Sequence, residues 1–105
     1  MTGIDPFQPF ARREIKRRWH RLRKDATPRI ADRFLEAVNE TVDMLQSHPH
    51  SGTRITSRLY GDTELRRFPV TLPFGRWLIV YSVSGDTILI LRVLHGSQDW
   101  KKLFP

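Results

Sequence analysis

The stretch Arg58–Trp100, RLYGDTELRRFPVTLPFGRWLIVYSVSGDTILILRVLHGSQDW, decides how this chain is read. It contains three extended runs in which arginines sit among apolar residues, and the last run stops at His95. The runs predict strands over residues 64–71, 75–84 and 87–94. In the middle one, Trp77, Ile79, Tyr81 and Val83 share one face while Leu78 and Val80 occupy the other, and apolarity on both faces marks a central strand. Pro69 cannot donate to a ladder, so the first run is expected at an edge or a bulge. Ser84-Gly85-Asp86 reads as a tight turn, and the three runs become an antiparallel meander. The question is whether its polar groups cut something, grip something, or hold the sheet together.

Upstream of the sheet the period changes to that of a helix. Thr27 is a suitable N-cap, Pro28 suits the first helical position, and Asp32 lies near the positive end of the dipole. Ile30, Phe34, Ala37, Val38, Thr41, Val42 and Leu45 form one apolar stripe, which ends before Pro49 because the preceding residue avoids the α region. Before it, Ala11, Ile15, Trp19, Leu22 and Ala26 repeat at helical spacing on a second segment. The short connector between them predicts an antiparallel helix hairpin laid on the sheet. The expected fold class is α+β, one domain over residues 1–105, with residues 1–10 irregular because Pro6 and Pro9 interrupt them.

Charge is concentrated in the first helix. The segment 12–24 carries eight Lys or Arg against the single acid Glu14, which accounts for the whole net charge of +7. Like charges one turn apart oppose the helix by roughly 0.2–0.5 kcal/mol per pair. Burying Ile15, Trp19 and Leu22 returns about 1.5–3 kcal/mol each, so the helix forms when docked. Such a face is either solvation or a surface for an anionic partner, an acidic peptide, a nucleic acid or the ribosome surface, and its concentration favours the partner, with Arg12, Lys16, Arg17, Arg18 and Arg21 as the contacting cations.

Several chemistries have no parts here. There is no cysteine, and His48 and His50 about Pro49 make a poor metal site, so neither metal nor cofactor is expected. No phosphate-cradling glycine loop or nucleophile elbow occurs. The first ten residues lack a signal-peptide core and no segment approaches a membrane span, so the expected location is cytoplasmic, with no membrane partner.

The order of these elements, with LRRF at 65–68, RWLIVYSV at 76–83 and DTILILRVLHGSQDW at 86–100, resembles the RelE/ParE toxins of bacterial type II toxin–antitoxin systems. The likeness runs from about Ile15 to Trp100 and includes Pro49 and Gly52 before the sheet. It implies a toxin neutralised by a cognate antitoxin in a hetero-oligomer. That family fold opens with a β-strand, which residues 1–10 do not predict, so one sheet edge is expected either to lie open, where an antitoxin segment could pair with it, or to be covered irregularly.

The resemblance implies two competing activities. A ParE-like member binds a macromolecular target, DNA gyrase, without breaking a bond. A RelE-like member is a ribosome-dependent mRNA endoribonuclease, for which Arg66, Arg92 and His95 would be the catalytic set. The lysines that the RelE branch uses have no counterpart on the strands, since Lys16, Lys24, Lys101 and Lys102 all lie elsewhere, and no C-terminal tyrosine follows Trp100. The ParE-like reading is therefore favoured, with Arg66, Arg76, Tyr81 and Arg92 facing the target. Against it stand plain structural roles. His95 precedes a glycine at a strand end, Tyr81 shares a core face, and Arg92, placed by alternation beside Ile88, Ile90 and Leu94, would pair with Asp99 or Glu64.

Overall fold

The computed structural model describes residues 5–105, and any strand within residues 1–4 lies outside the described residues. The chain runs α1 (Pro9–Asp25), α2 (Pro28–Ser47), β1 (Thr53–Ile55), a 3-10 turn (Arg58–Tyr60), β2 (Glu64–Pro69), β3 (Trp77–Ser84), β4 (Thr87–His95) and a short α3 (Trp100–Leu103). The four strands form one antiparallel sheet in the order β1-β2-β3-β4. The α+β architecture matches the expectation, with one strand more than the predicted meander.

The helix starts follow from their first residues. Thr27 Oγ1 accepts from the Ile30 N–H at 3.1 Å and Pro28 opens α2. Pro9 opens α1 in the same way, so the proline read as a breaker is a helix start, and residues 9 and 10 are not irregular. The α2 stripe is buried from Ala31 to Leu45, but its first member, Ile30, is 40% exposed. Thr41 is buried within that stripe: its hydroxyl donates to Ala37 O at 2.7 Å and accepts from the Thr71 N–H at 3.0 Å, tying α2 to the end of β2.

Both faces of the sheet are covered. Phe34, Val38 and Leu45 of α2 pack with Ile79, Tyr81, Ile88, Ile90 and Val93 of the sheet on the helix side. On the outer face Leu65, Val80, Leu94 and Phe104 form a second cluster. It is closed by the C-terminal segment, where Trp100 stacks on Phe104 and Pro105 O accepts from the Arg58 N–H. Two apolar faces make β3 a central strand, as its sequence predicts.

The strand β4 departs from strict alternation. Ile88, Ile90 and Val93 all face the helices, a spacing that a period of two forbids unless one residue is extra. The register supplies it: Val80 pairs with Arg92 while its neighbour Tyr81 pairs with Ile90, so Leu91 is the bulged residue. Leu94 consequently joins the outer cluster, and the expected grouping of Arg92 and Leu94 with Ile88 and Ile90 is corrected.

At the β4 edge the second of the two expected alternatives holds: the edge is covered, and irregularly. Phe7 bridges Ile90 in parallel, with Ile90 N–H donating to Pro6 O at 2.7 Å and Gln8 N–H donating to Ile90 O at 2.9 Å. Beyond the bulge, the Val93 N–H donates to Glu14 Oε1 at 2.9 Å. A one-residue bridge and a carboxylate thus occupy the Ile90 and Val93 donors, two that another strand would need.

Candidate functional site

The arginines and tyrosine of the sheet are held by internal partners. Arg66 Nε donates to Glu64 Oε2 at 2.6 Å, and its Nη1 donates to Gly52 O at 2.7 Å and His50 O at 3.3 Å. The Arg66 bond holds the Glu64 carboxyl below its usual range. Tyr81, the cross-strand neighbour of Arg66, is fully buried. Its hydroxyl donates to Pro49 O at 2.8 Å and accepts from the Gly52 N–H at 2.9 Å, and burial pushes the phenol up. Together Arg66 and Tyr81 clamp residues 49–52, the loop that leads from α2 into β1.

Gly52 is required at that clamp. A Cβ there would lie 2.6 Å from the Tyr81 hydroxyl and 2.7 Å from Arg67 O, inside any real contact distance. The close backbone approach explains the Pro49 and Gly52 spacing noted in the sequence.

Arg92 pairs with Glu14, not with Asp99 or Glu64. Its Nε and Nη2 reach the two carboxylate oxygens at 3.1 and 3.0 Å, and its guanidinium lies over the Phe10 ring at 4.5 Å. The only acid of the basic segment is therefore turned inward, which the residue count alone does not reveal.

His95 sits in a self-contained turn. Its Nδ1 lies 2.7 Å from Ser97 Oγ and accepts from the Ser97 N–H at 3.2 Å, while its edge meets Trp77 at a centroid distance of 5.3 Å. A donor on Nδ1 places the proton of the neutral ring on Nε2. Arg76, one residue before β3, has an exposed side chain. The structure thus brings Arg66 and Tyr81 together, places Arg92 at the opposite edge, and leaves Arg76 and His95 near the β3–β4 open end. Among the described residues no group of three or more metal-ligating side chains is found.

The basic helix parts its cations between two sites. The first is a groove between α1 and α2 of about 520 Å³, floored by Phe7, Ile15, Trp19, Leu35 and Val38 and rimmed by Arg12 and Lys16. Arg12 is itself tied to Asp5, with Nε to Oδ2 at 2.8 Å. The Phe7 N–H and then Arg12 hold the Asp5 carboxyl below its usual range. The second site is a smaller cleft of about 190 Å³ where Arg17, Arg18 and Arg21 face Trp77 and Gln98. Several of these cations lie on rings: Arg12 over Phe7 at 5.1 Å, Arg13 over Phe10 at 5.3 Å, Arg18 over Trp77 at 4.7 Å and Arg23 over Trp19 at 4.8 Å. Each such contact contributes roughly 0.5–1 kcal/mol, enough to offset the like-charge repulsion along α1.

The described residues thus form a helix hairpin on a four-stranded antiparallel sheet, with an apolar groove between the helices and a cationic cleft beside α1. Residues 7–100 match the family described as ParE toxin of type II toxin-antitoxin system, parDE, and the chain belongs to that family. It is a toxin of the type II toxin–antitoxin class, and the family implies a cognate antitoxin as its partner. The search of curated proteins finds no match. No helix of the described residues is long and apolar enough to cross a membrane.

Proposed function

We propose that this toxin arrests growth by binding DNA gyrase and is held inactive by its antitoxin, without cleaving a bond itself. The observation that carries the reading is the commitment of the sheet cations. Arg66 serves Glu64 and the residue 50–52 carbonyls, and Arg92 serves Glu14. Tyr81 is buried. A phosphodiesterase needs free charge at the scissile group and a positioned acid and base. Of the expected catalytic set, Arg66 and Arg92 are each committed to an ion pair, and His95 serves a local turn.

Arg76 is the exposed member of the four residues expected to face the target, with Arg66, Tyr81 and Arg92 supporting the sheet beneath it. The antitoxin docks through an amphipathic acidic segment laid in the α1–α2 groove. Its apolar side covers Ile15, Trp19 and Leu35 and its carboxylates meet Arg12 and Lys16.

Induced expression with parallel readouts of DNA breaks and transcript integrity tests the reading. The expected result is chromosome breakage with intact mRNA. Codon-associated transcript cuts without DNA damage would overturn it in favour of the ribosome-dependent endoribonuclease.

A further inference from the structure

The small cleft beside α1 has features that the antitoxin groove does not. Arg18 is half-buried, its guanidinium lies over Trp77, and its Nε is shielded from water with no hydrogen-bond partner. A charged donor left in that condition is costly, and it is relieved only if the side chain turns its fork toward an acceptor in the cleft. Arg17 and Arg21 line the same cleft one helical turn apart, both exposed. Gln98, from the loop after β4, adds a neutral amide opposite them.

The charge of the cleft is not balanced from within. Glu14 lines it, but both of its oxygens are engaged by Arg92 and the Val93 N–H. Asp25 lies 3.4 Å from Arg21 in an exposed pair, which solvent screens to little value. Three arginines therefore line a cleft of about 190 Å³, room enough for a small oxyanion.

We propose that this cleft binds a phosphate group of a nucleic-acid strand, with Arg17, Arg18 and Arg21 as its charged ligands and Gln98 as a neutral one. Phosphate is favoured over a carboxylate on two grounds. Guanidinium forks bond phosphate oxygens in pairs, and a phosphate offers more acceptors to three forks than one carboxylate does. The cleft also lies on the segment holding the entire net charge, with Arg13 and Lys24 exposed on either side, and a strand of repeating phosphates engages all of it where a single acidic side chain does not. Contacts of this kind position a strand without reading its sequence. The proposal rests on no assumption about gyrase or the antitoxin.

The test uses the full-length protein labelled with nitrogen-15, titrated in turn with inorganic phosphate, a short single-stranded DNA oligonucleotide and a glutamate-rich peptide. The Arg18 Nε–H and Trp77 indole N–H resonances report on the cleft. The expected result is a saturable shift of both with the oligonucleotide, reproduced at higher concentration by phosphate. The Arg17→Ala/Arg21→Ala pair alters two exposed side chains. It should lower the slope of log affinity against log salt by about two contacts at ~0.7 each. Arg18→Gln, checked for folding by its amide spectrum, should weaken binding further. Shifts that fail to saturate, that spread evenly along α1, or that survive the double substitution would overturn the proposal. Saturation by the peptide with no response to the oligonucleotide would overturn it too, and would assign the cleft to a protein partner.

Discussion

Glu14 and Arg92, one on the first helix and the other on the last strand, form a two-point ion pair whose carboxylate also accepts the Val93 N–H at 2.9 Å. The contact sits where the β4 bulge turns that N–H outward, so one side chain neutralises an arginine and seals a strand edge. It answers the question posed by the arginine-bearing runs: here the arginine holds the sheet to the helices.

Glu14→Gln keeps the shape and removes the charge. With side-chain exposures of 20% for Arg92 and 12% for Glu14, the pair is shielded enough to count. Loss of its charged hydrogen bonds should cost about 1.5–3 kcal/mol in urea unfolding. Arg92→Gln should cost a similar amount, and the double variant less than the sum. Strictly additive losses would show that the two residues act separately.

Thr41→Val removes the hydroxyl that links α2 to Thr71 while preserving volume. The Thr71 N–H then loses its partner, and destabilisation of about 1–3 kcal/mol is expected. Faster exchange of the Thr71 amide in the variant is the local sign. An unchanged amide would mean that the bond contributes nothing in solution.

Gly52→Ala should be among the most damaging single changes in the loop. The added methyl meets both the Tyr81 hydroxyl and the Arg67 carbonyl, and only the former is removed by Tyr81→Phe. The double variant should therefore recover part of the loss and not all of it, since the backbone clash remains. Full recovery of the unfolding midpoint would place the whole strain on the hydroxyl.

Acid should weaken the clamp through Glu64. Its folded-state carboxyl is held below the ordinary value of 4.5, chiefly by Arg66, so its contribution is complete above that value and is lost as pH falls through the depressed one. The stability gap between the native protein and Glu64→Gln should be constant near neutrality and shrink on acidification. A gap that widens in acid would reverse the assigned sign.

Much of the fold was legible where a single period governs a segment. Trp77, Ile79, Tyr81 and Val83 alternate onto the helix side as read, and Thr27-Pro28 opens α2 as read. What escaped were features that break a period or act at a distance. β1 is three residues long, too short to show alternation, and the Leu91 bulge shifts every facing after Ile90. Pro9 carried a helix-start signal that its neighbour Pro6 obscured. The site was less legible than the fold, because residue type does not say whether an arginine is spent. Arg66 and Arg92 have the chemistry of an active site, and only their distances to Glu64 and Glu14 show them occupied. Arg18 gave the opposite case: one of eight cations in sequence, distinguished in three dimensions by a shielded Nε with no hydrogen-bond partner.

We propose that the sheet's polar residues act by holding the fold and not by touching the target. Growth arrest by Tyr81→Phe at matched soluble expression tests it most directly, because Tyr81 is buried and its hydroxyl serves only the loop. The account predicts a lower unfolding midpoint with arrest as strong as that of the native protein wherever the variant is folded. Abolished toxicity with an unchanged midpoint would contradict it.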